Sequence, residues 1–106
     1  MTKYSIILTT VGTKENALEI ARALVEGKFA ACVNVVENIT SVYFWEGKVC
    51  EDGEFLLVIK SESANFEKVK EEILKLHGYE LPEIIELGIQ NGYEKYLEWI
   101  SDSLVP

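Results

Sequence analysis

The chain has one histidine, two cysteines and two prolines in 106 residues, one arginine (Arg22), no long uninterrupted apolar run and no excess of positive charge. Each scarcity removes a class of function. No stretch approaches the roughly 18 to 20 apolar residues of a membrane helix, and Met1-Thr2-Lys3 leads straight into Tyr4-Ser5-Ile6-Ile7-Leu8 with no signal-peptide pattern, so a cytoplasmic location without membrane attachment is expected. Ten Lys plus Arg against eighteen Asp plus Glu give a net charge of −8, which repels a phosphate backbone and argues against nucleic acid. Lacking both a glycine-rich phosphate cradle and an arginine cluster, the chain does not suit an acylphosphatase-like enzyme, which must stabilise phosphoryl charge. There is no C-x-x-C, H-x-x-x-H or Glu-x-x-His spacing, so no preformed metal motif is legible. No linker, repeat or low-complexity tract divides residues 1–106, and one domain with one core is expected.

What is present alternates between two periodicities. Residues 3 to 11 are β-branched and apolar and end at Gly12, as a strand does. Thr13 is the expected N-cap of a helix to about residue 26, with Ala17, Ile20, Ala21, Leu24 and Lys28 on one stripe and Gly27 as its stop. Residues 31 to 45 and 48 to 61 read as two strands joined at Glu46-Gly47, a tight hairpin turn. Ser63 is the expected cap of a second helix carrying Phe66, Val69, Ile73 and Leu76 and ending at His77-Gly78. A strand over 83 to 90 follows, then a helix opened by an Asn91/Glu94 capping box and presenting Tyr93, Tyr96, Leu97, Ile100 and Leu104. The order β-α-β-β-α-β, then α, predicts an α+β, ferredoxin-like sandwich with a long second hairpin and an extra C-terminal helix.

One length does not fit a lone globule. Fifteen residues from Ala31 to Trp45 span roughly 50 Å, whereas a chain of this size has a diameter of roughly 33 Å. The hairpin must project or bend, and its far end, Val42-Tyr43-Phe44-Trp45, is apolar surface on an open strand edge. Tyr43, Phe44 and Trp45, with Trp99, are therefore expected at an interface between copies of the chain. The alternative is a bulge near Glu37-Asn38 that folds the hairpin back over its own sheet. With Trp45 opposite Lys48, Cys50 falls opposite Tyr43 and Cys32 opposite Ser61, about eleven residues or roughly 36 Å apart, too far for a disulfide. Cys32, among Ala and Val, reads as a small buried hydrophobe, and Cys50, beside Glu51-Asp52-Gly53, as more exposed.

The chemistry-bearing segment is Leu76-His77-Gly78-Tyr79-Glu80-Leu81-Pro82-Glu83. An imidazole nitrogen with thiols and carboxylates makes a donor set suited to copper or zinc. His77 can equally pack at the helix end against Tyr79 with a backbone partner. Lys60, closing the run Phe55 to Ile59, either snorkels to the surface or pairs with an acid such as Glu83. No base, nucleophile and orienting acid stand at a telling spacing, so catalysis is not expected.

Five blocks in order, Ala30-Ala31-Cys32-Val33-Asn34, Ser41 to Lys48, Ile59-Lys60-Ser61, Leu76 to Ile84 and Tyr96-x-x-Trp99, resemble the CutA divalent-cation tolerance family over nearly the whole chain. The resemblance implies a cytoplasmic homotrimer of ferredoxin-like subunits, related in fold to the trimeric nitrogen-regulatory PII proteins and associated with tolerance of copper and other divalent cations, with no established catalytic reaction. On that reading Cys32, His77, Glu80 and Glu83 are the expected metal contributors, in clefts between subunits, with Cys50, Lys60 and Tyr79 as further cleft candidates. The PII likeness supplies an alternative, a trimeric sensor of a small anion or metabolite that signals through a partner protein. Many family members carry proline after the histidine. Here it is Gly78, which can take a left-handed conformation and so loosen the hold on His77.

Overall fold

A computed structural model describes residues 2–105. Strand β1 (Tyr4–Val11) leads into helix α1 (Lys14–Glu26), strands β2 (Cys32–Trp45) and β3 (Lys48–Glu62), a single 3-10 turn over Ser63–Asn65, helix α2 (Phe66–Leu76), strand β4 (Ile85–Ile89) and helix α3 (Glu94–Asp102). The four strands form one antiparallel sheet in the order β2-β3-β1-β4, which is the ferredoxin-like arrangement expected from the sequence. Alternation along β1 sends Ile7 and Val11 to the face covered by α1 and α2, where Ile20, Leu24, Leu57, Ile59, Val69 and Ile73 are fully buried with them. Along β3 and β4 the opposite face carries Leu56, Val58, Ile85 and Leu87, paired across Thr10, Leu8 and Ile6 of β1. No helix covers most of this second face. Only its end is closed, where Ile100 of α3 and Leu104 just beyond it pack with Ala31, Tyr4 and Leu97, and Ser101 Oγ bridges Tyr4 Oη (2.8 Å) and Glu62 (2.5 Å).

The β2–β3 hairpin projects. The molecule measures 44 × 25 × 23 Å, and Phe44 at the hairpin tip is 72 % exposed. Glu46 and Gly47 make the turn with φ of 49° and 78°, the two left-handed residues that a two-residue hairpin of right-handed twist requires. A bulge does interrupt the ladder between Val36 and Ile39, with Asn38 at φ 62°, but it does not fold the hairpin back. It shifts the register. Cys50 faces Tyr43 as expected, whereas Cys32 faces Lys60 rather than Ser61. Cys32 consequently lies half-buried on the uncovered face rather than in the core, and Cys50 is half-buried too.

Several local readings are corrected. Thr13 caps α1 as expected, its Oγ1 accepting from the Asn16 N–H at 3.1 Å, and Gly27 ends the helix as expected, whereas Lys28, expected on the helix stripe, lies beyond the helix in the left-handed region (φ 59°). Ser63 caps nothing; its hydroxyl bonds Ser5 Oγ (2.5 Å) and the Thr2 carbonyl (2.8 Å), tying β3 to β1. The Asn91/Glu94 capping box does not form, because α3 begins two residues later with Tyr93 at its cap and no side-chain cap bond. Gly78 is not left-handed either: His77 ends α2 in an extended conformation (φ −68°, ψ 135°).

Candidate functional site

The end of α2 is held by Asn16 of α1. Its amide donates to the Leu76 carbonyl at 2.9 Å and accepts from the Gly78 N–H at 3.0 Å, satisfying groups that a helix terminus leaves open. This fixes the chain direction at His77 and turns the imidazole onto β1, where Nε2 meets the Thr10 carbonyl at 2.8 Å. The other ring nitrogen, Nδ1, accepts from the Tyr79 N–H at 3.0 Å. An accepting Nδ1 places the proton on Nε2, which donates to Thr10. The His77 and Tyr79 rings stand 4.9 Å apart, so His77 does pack at the helix end against Tyr79 with a backbone partner.

Tyr79 in turn reaches the base of the hairpin, donating its hydroxyl to Glu54 Oε2 at 2.6 Å. Gly12 permits this approach, since a Cβ there would lie 2.9 Å from the Tyr79 hydroxyl. Glu54 is 7 % exposed, an unusual position for a carboxylate that no lysine or arginine pairs with among the described residues. Burial, and next the bond to Glu54, raise the Tyr79 phenol well above its ordinary 10.0. In the unfolded chain the phenol ionises near pH 10 while the folded chain keeps its proton, so stability should fall as pH rises from about 10 toward the raised value. Tyr79→Phe is expected to remove that component: alkaline unfolding curves of the variant should show a shallower loss above pH 10 than those of the native protein. Farther out on the hairpin, Tyr43 donates to Asp52, which, ahead of burial, raises its phenol to about 12.

Between the hairpin and the loop after α2 lies a groove of about 670 Å³, lined by Tyr43, Trp45, Glu54, Tyr79, Glu80 and Glu83 with Val42, Leu81, Thr10, Ser41 and Gly78. Thus Tyr79, Glu80 and Glu83 do share a site, whereas His77 stands behind it. Cys32 lies elsewhere. It faces Lys60, four residues along β3 from the Leu56 that pairs with Thr10, a separation of about 13 Å. Lys60 does not pair with Glu83; its half-buried side chain reaches the sheet surface, where Nζ bonds the exposed Asn34 and sits 3.9 Å from Cys32 Sγ. Among the described residues no three His, Cys, Asp or Glu side chains converge as a metal cage within one chain. Glu54, Asn16 and Thr10 were not legible as site residues, although an acid opening the apolar run Phe55 to Ile59 on the face of Leu56 and Val58 was a usable signal for Glu54.

Residues 5–103 match the model of the CutA1 divalent ion tolerance protein family. The chain belongs to that family. A divalent-cation tolerance protein CutA of Thermus thermophilus is 46 % identical over 98 residues, covering 92 % of this chain and 95 % of the relative. The chloroplastic CutA of Arabidopsis thaliana is 44 % identical over the same share of this chain, which spans only 54 % of that relative. Among solved structures, CutA1 of Oryza sativa superposes with a TM-score of 0.95 at 40 % identity, covering 98 % of this chain and 95 % of that one. The Arabidopsis thaliana relative is named chloroplastic and the Archaeoglobus fulgidus structure periplasmic. In this CutA1-family chain no helix among the described residues is long and apolar enough to cross a membrane.

Proposed function

We propose that this chain serves divalent-cation tolerance as a non-catalytic cytoplasmic homotrimer, with copper as the cation it handles. The observation that supports this reading is the uncovered sheet face: Leu56, Val58, Ile85 and Leu87 form an apolar surface beside a projecting hairpin that ends in Phe44 and Trp45. Such a surface is costly to leave in water and suits burial against other copies of the chain. Assembly also answers the missing metal cage, because Cys32 of one subunit and His77, Glu80 and Glu83 of another can meet only across a subunit boundary. The tautomer of His77 favours this use: Nε2–H held by the Thr10 carbonyl leaves the lone pair on Nδ1, the outer-shell arrangement seen around ligating histidines. Ligation would replace the Tyr79 N–H bond at Nδ1. Two free thiols fit a reducing compartment. The alternative, a sensor of small anions, finds no lysine or arginine in the groove lining.

Calorimetric titration of the assembled protein with Cu²⁺ tests the metal assignment. The Cys32→Ser variant and the Glu80→Gln, Glu83→Gln double variant are each expected to bind at least tenfold more weakly than the native protein. Equal affinity in both would overturn it.

A further inference from the structure

We propose that Asn91, in the connection between β4 and α3, is a site of spontaneous deamidation, converting with time to aspartyl and isoaspartyl forms. The chain holds five asparagines, and only Asn91 precedes a glycine. A glycine has no Cβ to keep its backbone nitrogen from the preceding side chain, whereas Val35, Ile39 and Phe66 after Asn34, Asn38 and Asn65 carry bulky ones. Asn16, followed by Ala17, is held inside α1 with its amide bonded to Leu76, Gly78 and Glu19. Asn91 has no such restraint. Residues 90–93 lie outside every helix and strand, Asn91 and Gly92 are exposed, and among the described residues no backbone carbonyl accepts from the Gly92 N–H. The one comparable pair, Asp52-Gly53, is fixed in the hairpin ladder, where Gly53 faces Thr40 and Asp52 accepts from Tyr43.

The reaction needs only water. The Gly92 nitrogen, giving up its proton, bonds to Cγ of Asn91, while the side-chain amide nitrogen breaks from Cγ, takes that proton and leaves as ammonia. Water then opens the resulting cyclic imide at either carbonyl. Opening at Cγ leaves an aspartyl residue, and opening at the backbone carbonyl routes the chain through Cβ and Cγ as an isoaspartyl residue. Both products add a negative charge to a chain already at −8. The isoaspartyl form also puts one more carbon into the backbone ahead of Gly92. The fold is sensitive there: a Cβ on Gly92 would lie 3.1 Å from Leu97 Cδ2, and Leu97 packs against the cluster of Ala31, Ile100 and Leu104 that seats α3 on the sheet. Close packing against Leu97 keeps a glycine at position 92, and that glycine makes Asn91 labile. Asn91 lies off the open sheet face and the hairpin, and its chemistry involves none of Cys32, His77, Glu80 and Glu83, so it is independent of the proposed function.

The test is incubation of the full-length assembled protein in mildly alkaline buffer, well below its melting midpoint, followed by peptide mapping with isoaspartyl-specific methylation. A synthetic peptide of the Gly88 to Lys95 sequence, incubated alongside, sets the pace of the unrestrained reaction. Isoaspartate should accumulate at position 91 within about tenfold of the peptide's rate, and at least tenfold faster than at any other asparagine or at Asp52. Asn91→Gln, whose longer side chain closes the ring far more slowly, should keep its ammonia and remain unmethylated. Aged native protein should exchange the amide hydrogens of α3 faster than fresh protein, and aged Asn91→Gln should not. An unmodified Asn91 under conditions that convert the peptide, modification spread evenly over the asparagines, or α3 exchange unchanged in the converted protein would overturn the proposal.

Discussion

Leu87→Glu is expected to reduce the mass of the protein in solution from three chains to one. Leu87 is paired with Ile6 on the uncovered sheet face and is 51 % exposed in the single chain, so a carboxylate there meets water and costs the isolated fold little. In an assembly that buries this face, the same carboxylate would be enclosed by Ile6, Leu8, Val58 and the neighbouring chain without a cation to pair with. The effective penalty for such a buried, unpaired charge is several kcal/mol per site, and it recurs in every subunit of a symmetric assembly. Because assembly draws on the folded state, the thermal midpoint should fall with the mass and become less dependent on protein concentration. Light scattering on the variant checks the first effect and melting curves at two concentrations the second. An unchanged mass would place the interface elsewhere.

The second large effect is expected at His77. His77→Ala removes the donor to the Thr10 carbonyl and the acceptor of the Tyr79 N–H in one step, along with the ring that Tyr79 packs against. The part-buried Thr10 carbonyl left without its partner costs about 1 to 3 kcal/mol, and the exposed Tyr79 N–H, which water can satisfy, costs less. The sum should be about 2 kcal/mol, read as a lower denaturant midpoint with an unchanged slope. The effect should also reach the groove. With Tyr79 released, its bond to Glu54 loosens, so the alkaline stability component assigned to Tyr79 should shrink in His77→Ala as it does in Tyr79→Phe. A loss below about 0.5 kcal/mol would mean that the helix end is held by Asn16 alone and that the imidazole is dispensable for folding.

The parts of this arrangement that were legible in the sequence are those decided by near neighbours. The Glu46-Gly47 turn sets Trp45 against Lys48, and Tyr43 against Cys50, because a two-residue hairpin leaves one register. Thr13 was readable as a cap for the same reason: its hydroxyl bonds an N–H three residues on. Ser63 looked equivalent, yet its hydroxyl is taken by Ser5 and Thr2 from a strand more than fifty residues away, a competition that no local pattern records. The bulge at Val36 to Ile39 likewise leaves the alternation of residue types intact while moving Cys32 from Ser61 to Lys60. At the site, Tyr79, Glu80 and Glu83 were legible because they are contiguous with the single histidine. Glu54, Asn16 and Thr10 come from three other elements, and only the folded sheet brings them to the end of α2. Gly78 drew attention as a flexible hinge, whereas its N–H bond to Asn16 makes it a fixed point.

On the proposed function, the sheet face left open by α1, α2 and α3, together with the projecting hairpin, is covered by other copies of this chain, and a metal site is complete only then. Light scattering of the unmodified protein at micromolar concentration tests it most directly. A mass three times that of the 12.0 kDa chain is expected. A mass of a single chain would contradict it.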